Sequence, residues 1–201
     1  ALCEPLACAT HGVLQRSGLS PGELAIVSGP GPIGLLVAQV ARAAGARVMV
    51  VGAPSDMERL ELALSLGAER CLVAQDQDAS AAVALWTQGH GAHVAFECSG
   101  TPASFSNCVE WVRRGGQVVQ VGLMGKASSL DLDRVTYKEV ELRGSFAHNH
   151  GSWEMAIELL GRRQVELLPL VSGIYPLGKW EEPFELFEHH EGLKYLLRPE
   201  A

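Results

Sequence analysis

No apolar run in this chain approaches the roughly 18 to 20 residues that a membrane-spanning helix needs, so no membrane partner is expected. Basic clusters are equally lacking. Lys and Arg number 16 against 23 Asp and Glu, for a formal net charge of −7. Binding to nucleic acid needs clustered cations to replace the counterions of the phosphates, so no nucleic-acid partner is expected either. The five cysteines, Cys3, Cys8, Cys71, Cys98 and Cys108, form no C-x-x-C pair. An odd, unpatterned set points to reduced thiols and a cytoplasmic protein. Residues 1–13 look faintly like a secretory leader, but they carry Glu4 and Pro5 and lack a basic start. The chain begins with Ala1 in place of Met, which suits part of a longer protein.

What is present is the material of one α/β core. Of 201 residues, 47% are hydrophobic, 19% charged and 6% aromatic, and glycines number 22. That balance suits a globular domain with many tight turns. Short β-branched runs alternate with helical patterns. Residues 24–28 read as a buried strand, a glycine-rich turn follows, and a helix runs to about Ala44. Its apolar residues Ile33, Leu36, Val37, Val40, Ala41 and Ala44 fall on one face. Residues 48–51 form a second, all-apolar strand, as a sheet covered on both faces requires. Ser55-Asp56-Met57-Glu58 has the form of a capping box and opens a helix to about Leu66.

Further strands are expected at 70–73, 93–97, 117–121 and 141–146. Helices are expected at 80–86, 101–112 and 153–160, the second ended by Gly115 and Gly116. Six strands with helical crossovers predict an α/β Rossmann fold, a doubly wound parallel sheet in the order 3-2-1-4-5-6. From about Val171 the pattern changes to a strand, a helix at 180–188 and a strand at 195–197. This is a small C-terminal addition without a core of its own.

Gly29-Pro30-Gly31-Pro32-Ile33-Gly34 has the form G-x-G-x-x-G. Three glycines at that spacing are a weak signal alone. Between a strand and a helix, inside a βαβ unit, they read as a turn that binds a nicotinamide dinucleotide. Gly29 permits the tight turn, Gly31 lets the backbone approach a pyrophosphate, and Gly34 lets helix and strand come close. Free N–H groups and the helix dipole then favour the anion, so Pro32 and Ile33 are placed with it. A ligand-free turn of the same fold and a methyltransferase-type loop are the alternatives.

An NAD site of this type usually ends its second strand with an acid that binds the ribose hydroxyls. Here that strand ends Val50-Val51-Gly52, and the nearest acid, Asp56, reads as a helix cap. Without the carboxylate there is less repulsion of a 2′-phosphate, and Ser55 and Arg59 lie where they would contact one. The coenzyme is therefore NAD or NADP, with a lean to NADP.

Glu4-Pro5-Leu6-Ala7, the glycine turn, Glu97-Cys98-Ser99-Gly100, the stretch from Gly115 to Gly122, and Gly144-Ser145-Phe146 occur in that order. Together with the closing stretch from Leu193 to Pro199 they resemble the medium-chain zinc-dependent dehydrogenases, in the branch of polyol, butanediol and threonine dehydrogenases. The resemblance covers essentially the whole chain. It implies that Cys98, Ser99 and Gly100 lie near the cofactor and that Val121, Gly122 and Leu123 lie against the nicotinamide. It implies further that Ser145 and Phe146 meet the carboxamide, and that Glu4 stands in the shell of a catalytic zinc in the full-length enzyme. The full enzyme would move a hydride between a secondary alcohol or polyol and the nicotinamide.

The same resemblance implies that the zinc-binding segments lie upstream of Glu4, so this chain would bind coenzyme without turnover, and no zinc is expected on it alone. Residues 1–20 read as a lead-in from that missing domain, 21–170 as the coenzyme domain and 171–201 as a piece belonging with the missing domain. His148, His150, His189 and His190 read as solvated loop residues rather than ligands, and Cys3 and Cys8 as packing residues. Sorbitol-type relatives follow the Phe of the last strand with Arg; here Ala147 follows Phe146, which argues against a sorbitol-like substrate and leaves secondary alcohols, amino alcohols and other polyols open. Ser129-Leu130-Asp131-Leu132 resembles a short edge strand that relatives pair across a dimer axis, so a homo-oligomer is expected. A stand-alone dinucleotide-binding module and a zinc-free quinone or enoyl reductase are the competing readings.

Overall fold

The structure is a computed structural model that describes residues 2–75, 79–189 and 191–199. His190 lies outside the described residues. Six parallel strands form one sheet: β1 (Leu24–Ser28), β2 (Arg47–Gly52), β3 (Arg70–Val73), β4 (Ala92–Glu97), β5 (Val112–Gln120) and β6 (Glu141–Gly144). Their order is β3-β2-β1-β4-β5-β6, the doubly wound order expected from the sequence. Helices α2 (Pro32–Ala43), α3 (Met57–Ser65), α4 (Ala79–Trp86), α5 (Pro102–Trp111) and α6 (Leu132–Lys138) connect the strands, and α7 (His150–Gly161) follows β6.

Apolar groups divide between the two faces of the sheet because alternate strand residues point to opposite sides. Ala25, Val27, Val48, Val50, Val94 and Phe96 join one buried cluster with α2 and α3. Ile26, Met49, Val51, Ala95 and Val118 join the other with α4 and α5. Residues read as a lead-in are part of the first cluster. Helix α1 (Cys3–Thr10) continues into a π-helical turn (His11–Arg16), and Leu6, Ala7, Ala9 and Val13 are fully or almost fully buried.

Three local expectations need correction. The helix before β5 ends at Trp111, and the strand begins at once with Val112 facing Ala92. Residues 113–116 then leave the ladder, and pairing resumes with Gln117 opposite Val94. Gly115 and Gly116 therefore make an irregularity within the strand, where Gly115 takes a φ of +63°, and do not end the helix. Residues 129–131 form no strand; Asp131 caps α6, its carboxylate accepting the Asp133 N–H, and Leu132 opens that helix. The capping box at Ser55 does not form. A 3-10 turn (Pro54–Asp56) precedes α3, and it is the Asp56 carboxylate that accepts the Ala53 N–H at 2.9 Å.

The last piece comprises β7 (Val171–Pro176), α8 (Glu181–Glu188) and β8 (Lys194–Arg198), with the two strands paired in parallel as a separate sheet. Leu170 and Leu193, at the starts of its strands, are buried in the main cluster. Trp180, just before its helix, and Phe184 and Phe187 on it remain about half exposed.

Candidate coenzyme site

The order of the sheet reverses between β1 and β4, and in such sheets a crevice opens beyond the carboxyl ends of the strands at that point. The glycine turn occupies it. Gly29 leaves β1 with φ +106°, its N–H donating to the Val51 carbonyl at 2.8 Å. A Cβ there would stand 2.7 Å from the Ser99 nitrogen, so the loops after β1 and β4 touch through the glycine. A Cβ on Gly34 would overlap the Gly29 carbonyl oxygen. Gly31 is different: its backbone is ordinary, φ −71° and ψ −179°, and a Cβ there would meet nothing within 4 Å.

No side chain caps α2. Pro32 stands at its first turn, where the missing N–H costs nothing, and the N–H groups of Ile33 and Gly34 have no acceptor within the helix. Open space above Gly31, free N–H groups and the positive end of a 12-residue helix together fit the pyrophosphate of a dinucleotide. The cradle is made by this chain alone.

At the end of β2 the absence of a side chain on Gly52 has a consequence that its sequence position conceals. The Asp56 Cβ and the Pro30 Cγ each lie 3.0 Å from where a Gly52 Cβ would be. The 3-10 turn thus folds the Asp56 carboxylate back over the strand end, beside the glycine turn. Asp56 also pairs with Arg59 at 3.2 Å, and Arg59 donates to the Gly192 carbonyl at 2.9 Å. Ser55, Asp56 and Arg59 line an open cavity of about 950 Å³ with Ser172, His189 and Gly192. Arg59, read as a partner for a 2′-phosphate, makes these contacts at the rim of that cavity.

The loops after β4, β5 and β6 bring the other expected residues to the same edge. The Cys98 N–H donates to the Ser28 carbonyl, the Val121 and Gly122 N–H groups to the Glu97 carbonyl, and the Ser145 N–H to the Gln120 carbonyl. Burial and the neighbouring Glu97 carboxylate push the Cys98 thiol well above its ordinary pKa, so it stays protonated. Ser145 is buried, while Leu123 and Phe146 project into solvent, 74% and 78% exposed, at the open side of the crevice. Gly12 in the π-helical turn faces Ser145 Oγ and Val121 Cγ2, so that turn roofs the ends of β5 and β6. Single π-turns inserted in helices recur at functional sites.

Glu4 stands apart from the glycine turn, in a small polar group. Its carboxylate accepts the Cys8 thiol at 3.3 Å and lies 3.6 Å from His148 Nε2. The Trp153 indole N–H donates to His148 Nδ1 at 2.9 Å, which leaves the proton of the neutral ring on Nε2, toward Glu4. Burial and Glu4 push the Cys8 thiol up to about 12. His148, expected to be a solvated loop residue, is thus half-buried and held. No trio of His, Cys, Asp and Glu among the described residues could hold a metal ion. The described residues do not by themselves fit a zinc ion.

Sequence patterns missed the placement of Asp56 and His148. For Asp56 a signal existed, since Pro54 favours a tight turn and Gly52 offers room. For His148 there was none, because its partner Glu4 lies at the other end of the chain.

The family model described as "Zinc-binding dehydrogenase" matches residues 32–162. The sorbitol dehydrogenase of Halalkalibacterium halodurans is 34% identical over 200 residues, covering 99% of this chain and 58% of that protein. The structure of L-idonate 5-dehydrogenase from Escherichia coli superposes with a TM-score of 0.86 at 31% identity, over 97% of this chain and 55% of its own. A structure described as a zinc-binding dehydrogenase from Sinorhizobium meliloti, bound to NADP, gives 0.84 at 26% identity, over 98% and 58%. The chain therefore spans a little over half the length of these relatives. It belongs to the zinc-binding dehydrogenase family.

Proposed function

We propose that this chain is the coenzyme-binding part of a zinc-dependent dehydrogenase that transfers a hydride between a secondary alcohol or polyol and a nicotinamide dinucleotide. The observation that carries the reading is Gly31: an ordinary backbone with open space above it, at the uncapped start of α2 and the reversal point of the sheet. In this reading the α2 N-terminus holds the pyrophosphate with Gly29, Gly31, Pro32, Ile33 and Gly34. Cys98, Ser99, Gly100, Val121, Gly122 and Leu123 flank the nicotinamide, and Ser145 and Phe146 meet its carboxamide. The bound coenzyme supplies the hydride acceptor, the nicotinamide C4. The chain contributes its orientation and the exclusion of water from one face.

The relatives named for sorbitol and L-idonate favour a polyol or a sugar acid as the substrate class. For the coenzyme, the Asp56 carboxylate over Gly52 supports NAD: it is an acceptor for ribose hydroxyls and repels a 2′-phosphate. Arg59, tied to Asp56 and Gly192, offers the phosphate little. Metal ligands belong, in this reading, to upstream segments of the family, with Glu4 beside them. Unpaired cysteines support a reducing compartment, the cytoplasm. Self-association is proposed through residues 129–132, where Ser129, Asp131 and Leu132 are exposed and Leu130 is partly buried against the core.

Titration of the chain with NADH and NADPH, followed by nicotinamide fluorescence, tests the reading. Saturable binding with NADH the tighter ligand is expected. Failure of both coenzymes to bind at millimolar concentration would overturn it.

A further inference from the structure

Glu97 closes β4 with its side chain fully buried. An ionised carboxylate is costly to bury unless its lone pairs are met. Here five hydrogen bonds from Ser99 and Gly100, in the loop after β4, and from Gln120, at the end of β5, meet its two oxygens. Oε1 accepts the Ser99 N–H at 2.9 Å, the Ser99 hydroxyl at 2.7 Å and the Gly100 N–H at 3.0 Å. Oε2 accepts the Gly100 N–H at 3.1 Å and the Gln120 side-chain amide. That same amide nitrogen donates to the Gly122 carbonyl at 2.8 Å, while its oxygen is buried without a partner. Gln120 is therefore oriented for its donors alone. The backbone adds to the tie, since the Glu97 carbonyl accepts both Val121 and Gly122 N–H groups.

The two loops joined in this way fit without spare room. A Cβ on Gly122 would overlap the Gly100 nitrogen and come within 2.8 Å of Glu97 Oε2, and one on Gly100 would overlap the Leu123 carbonyl oxygen. We propose that Glu97 is a positioning residue: its buried carboxylate locks the loop after β4 to the loop after β5 and so sets the surface that meets the nicotinamide half of the coenzyme. This rests on the coenzyme reading above.

The chemistry of an amide replacement shows why the carboxylate matters. Glu97→Gln puts an NH₂ where one of the two oxygens now accepts. Facing Gly100 and Ser99, it opposes donors with donors. Facing Gln120, it is satisfied only if Gln120 turns its amide over, which sets the Gln120 oxygen against the Gly122 carbonyl. Either arrangement loosens one loop from the other while strands and core keep their pairing. Gln120→Met removes only the inter-strand tie and the bond to Gly122, from a half-buried position.

The test compares NADH with ADP-ribose, which carries the same adenosine and pyrophosphate but no nicotinamide. The wild type is expected to bind NADH more tightly than ADP-ribose, with a shift in nicotinamide emission. Glu97→Gln should weaken NADH by about tenfold and Gln120→Met by about threefold, the range of one lost hydrogen bond or charge-assisted bond. ADP-ribose binding should stay within about twofold in both, a selectivity that general unfolding would not give. Equal loss of both ligands, or NADH binding unchanged in both variants, overturns the proposal, as does a wild type that does not distinguish the ligands. A wild type that binds neither ligand defeats the coenzyme reading itself, and this inference with it. Should Glu97→Gln not fold, Gln120→Met decides the question.

Discussion

The two edges of the six-stranded sheet use charged residues in opposite ways. At the amino edge they pair across the surface: Arg47 with Glu69 at 2.7 Å and Arg114 with Glu139 at 3.2 Å. At the carboxyl edge carboxylates turn inward. Glu97 is fully buried among N–H and O–H donors, and Asp56 folds over Gly52 to hold a tight turn. Surface pairs are screened by water and contribute little, whereas a buried carboxylate is tolerable only where its partners are fixed. The contrast assigns stability with tolerance to one edge and fixed geometry for a ligand to the other.

Substitutions at the two edges should therefore differ in size and in kind. The largest effect is expected from Gly34→Ala, whose methyl group would overlap the Gly29 carbonyl oxygen between helix and strand. Backbone cannot give way as a flexible side chain does, so a loss of about 3 kcal/mol in urea unfolding is expected, with coenzyme binding lost as well. A wild-type unfolding midpoint would remove the close approach of α2 and β1 from the account. Next comes Asp56→Asn, which keeps the size of the side chain and removes its charge. NADPH affinity relative to NADH should rise about tenfold, or about 1.4 kcal/mol. An unchanged ratio would show that Asp56 serves only the turn.

Arg47→Ala at the amino edge should have the smallest effect. Arg47 hydrogen-bonds Glu69 and, with Trp86, holds its carboxyl down to about 2 from an ordinary 4.5. A depressed pKa stabilises the fold above the ordinary value, and that contribution is lost as the pH falls toward 2. With 50% and 36% of the two side chains exposed, the difference at neutral pH should stay under about 1 kcal/mol. The gap between wild type and variant should close between pH 4.5 and 2 in acid unfolding. A gap that widens on acidification would contradict the pairing, and coenzyme binding should not change at all.

How much of this was legible in the sequence depended on whether a feature was local. Strand order and the glycine turn were, because buried parallel strands are apolar throughout and each glycine of the turn has a steric task. The irregularity at 113–116 was not. Two adjacent glycines end a helix as readily as they bend a strand, and only the pairing of Val112 with Ala92 decides between them. The packing of residues 1–20, read as a lead-in, was not legible because their buried residues Leu6, Ala7, Ala9 and Val13 gain meaning only against α2 and α7. Glu97 stood inside a motif, yet its burial depends on Gln120, a residue of the next strand. Asp56 was legible as a cap, but not its place beside the glycine turn, because one turn of 3-10 helix carried it back to the end of a strand four residues earlier.

Gly31→Ala offers the most direct test of the central claim. The residue has backbone angles open to any side chain, and its added methyl would meet no protein atom within 4 Å, so only a ligand brought close to the backbone would meet it. NADH titration of wild type and variant, beside their thermal unfolding, should show the same melting temperature and a loss of affinity of tenfold or more, about 1.4 kcal/mol upward. Equal affinity at equal stability would mean that no pyrophosphate comes to this turn, and the coenzyme site would have to be sought elsewhere.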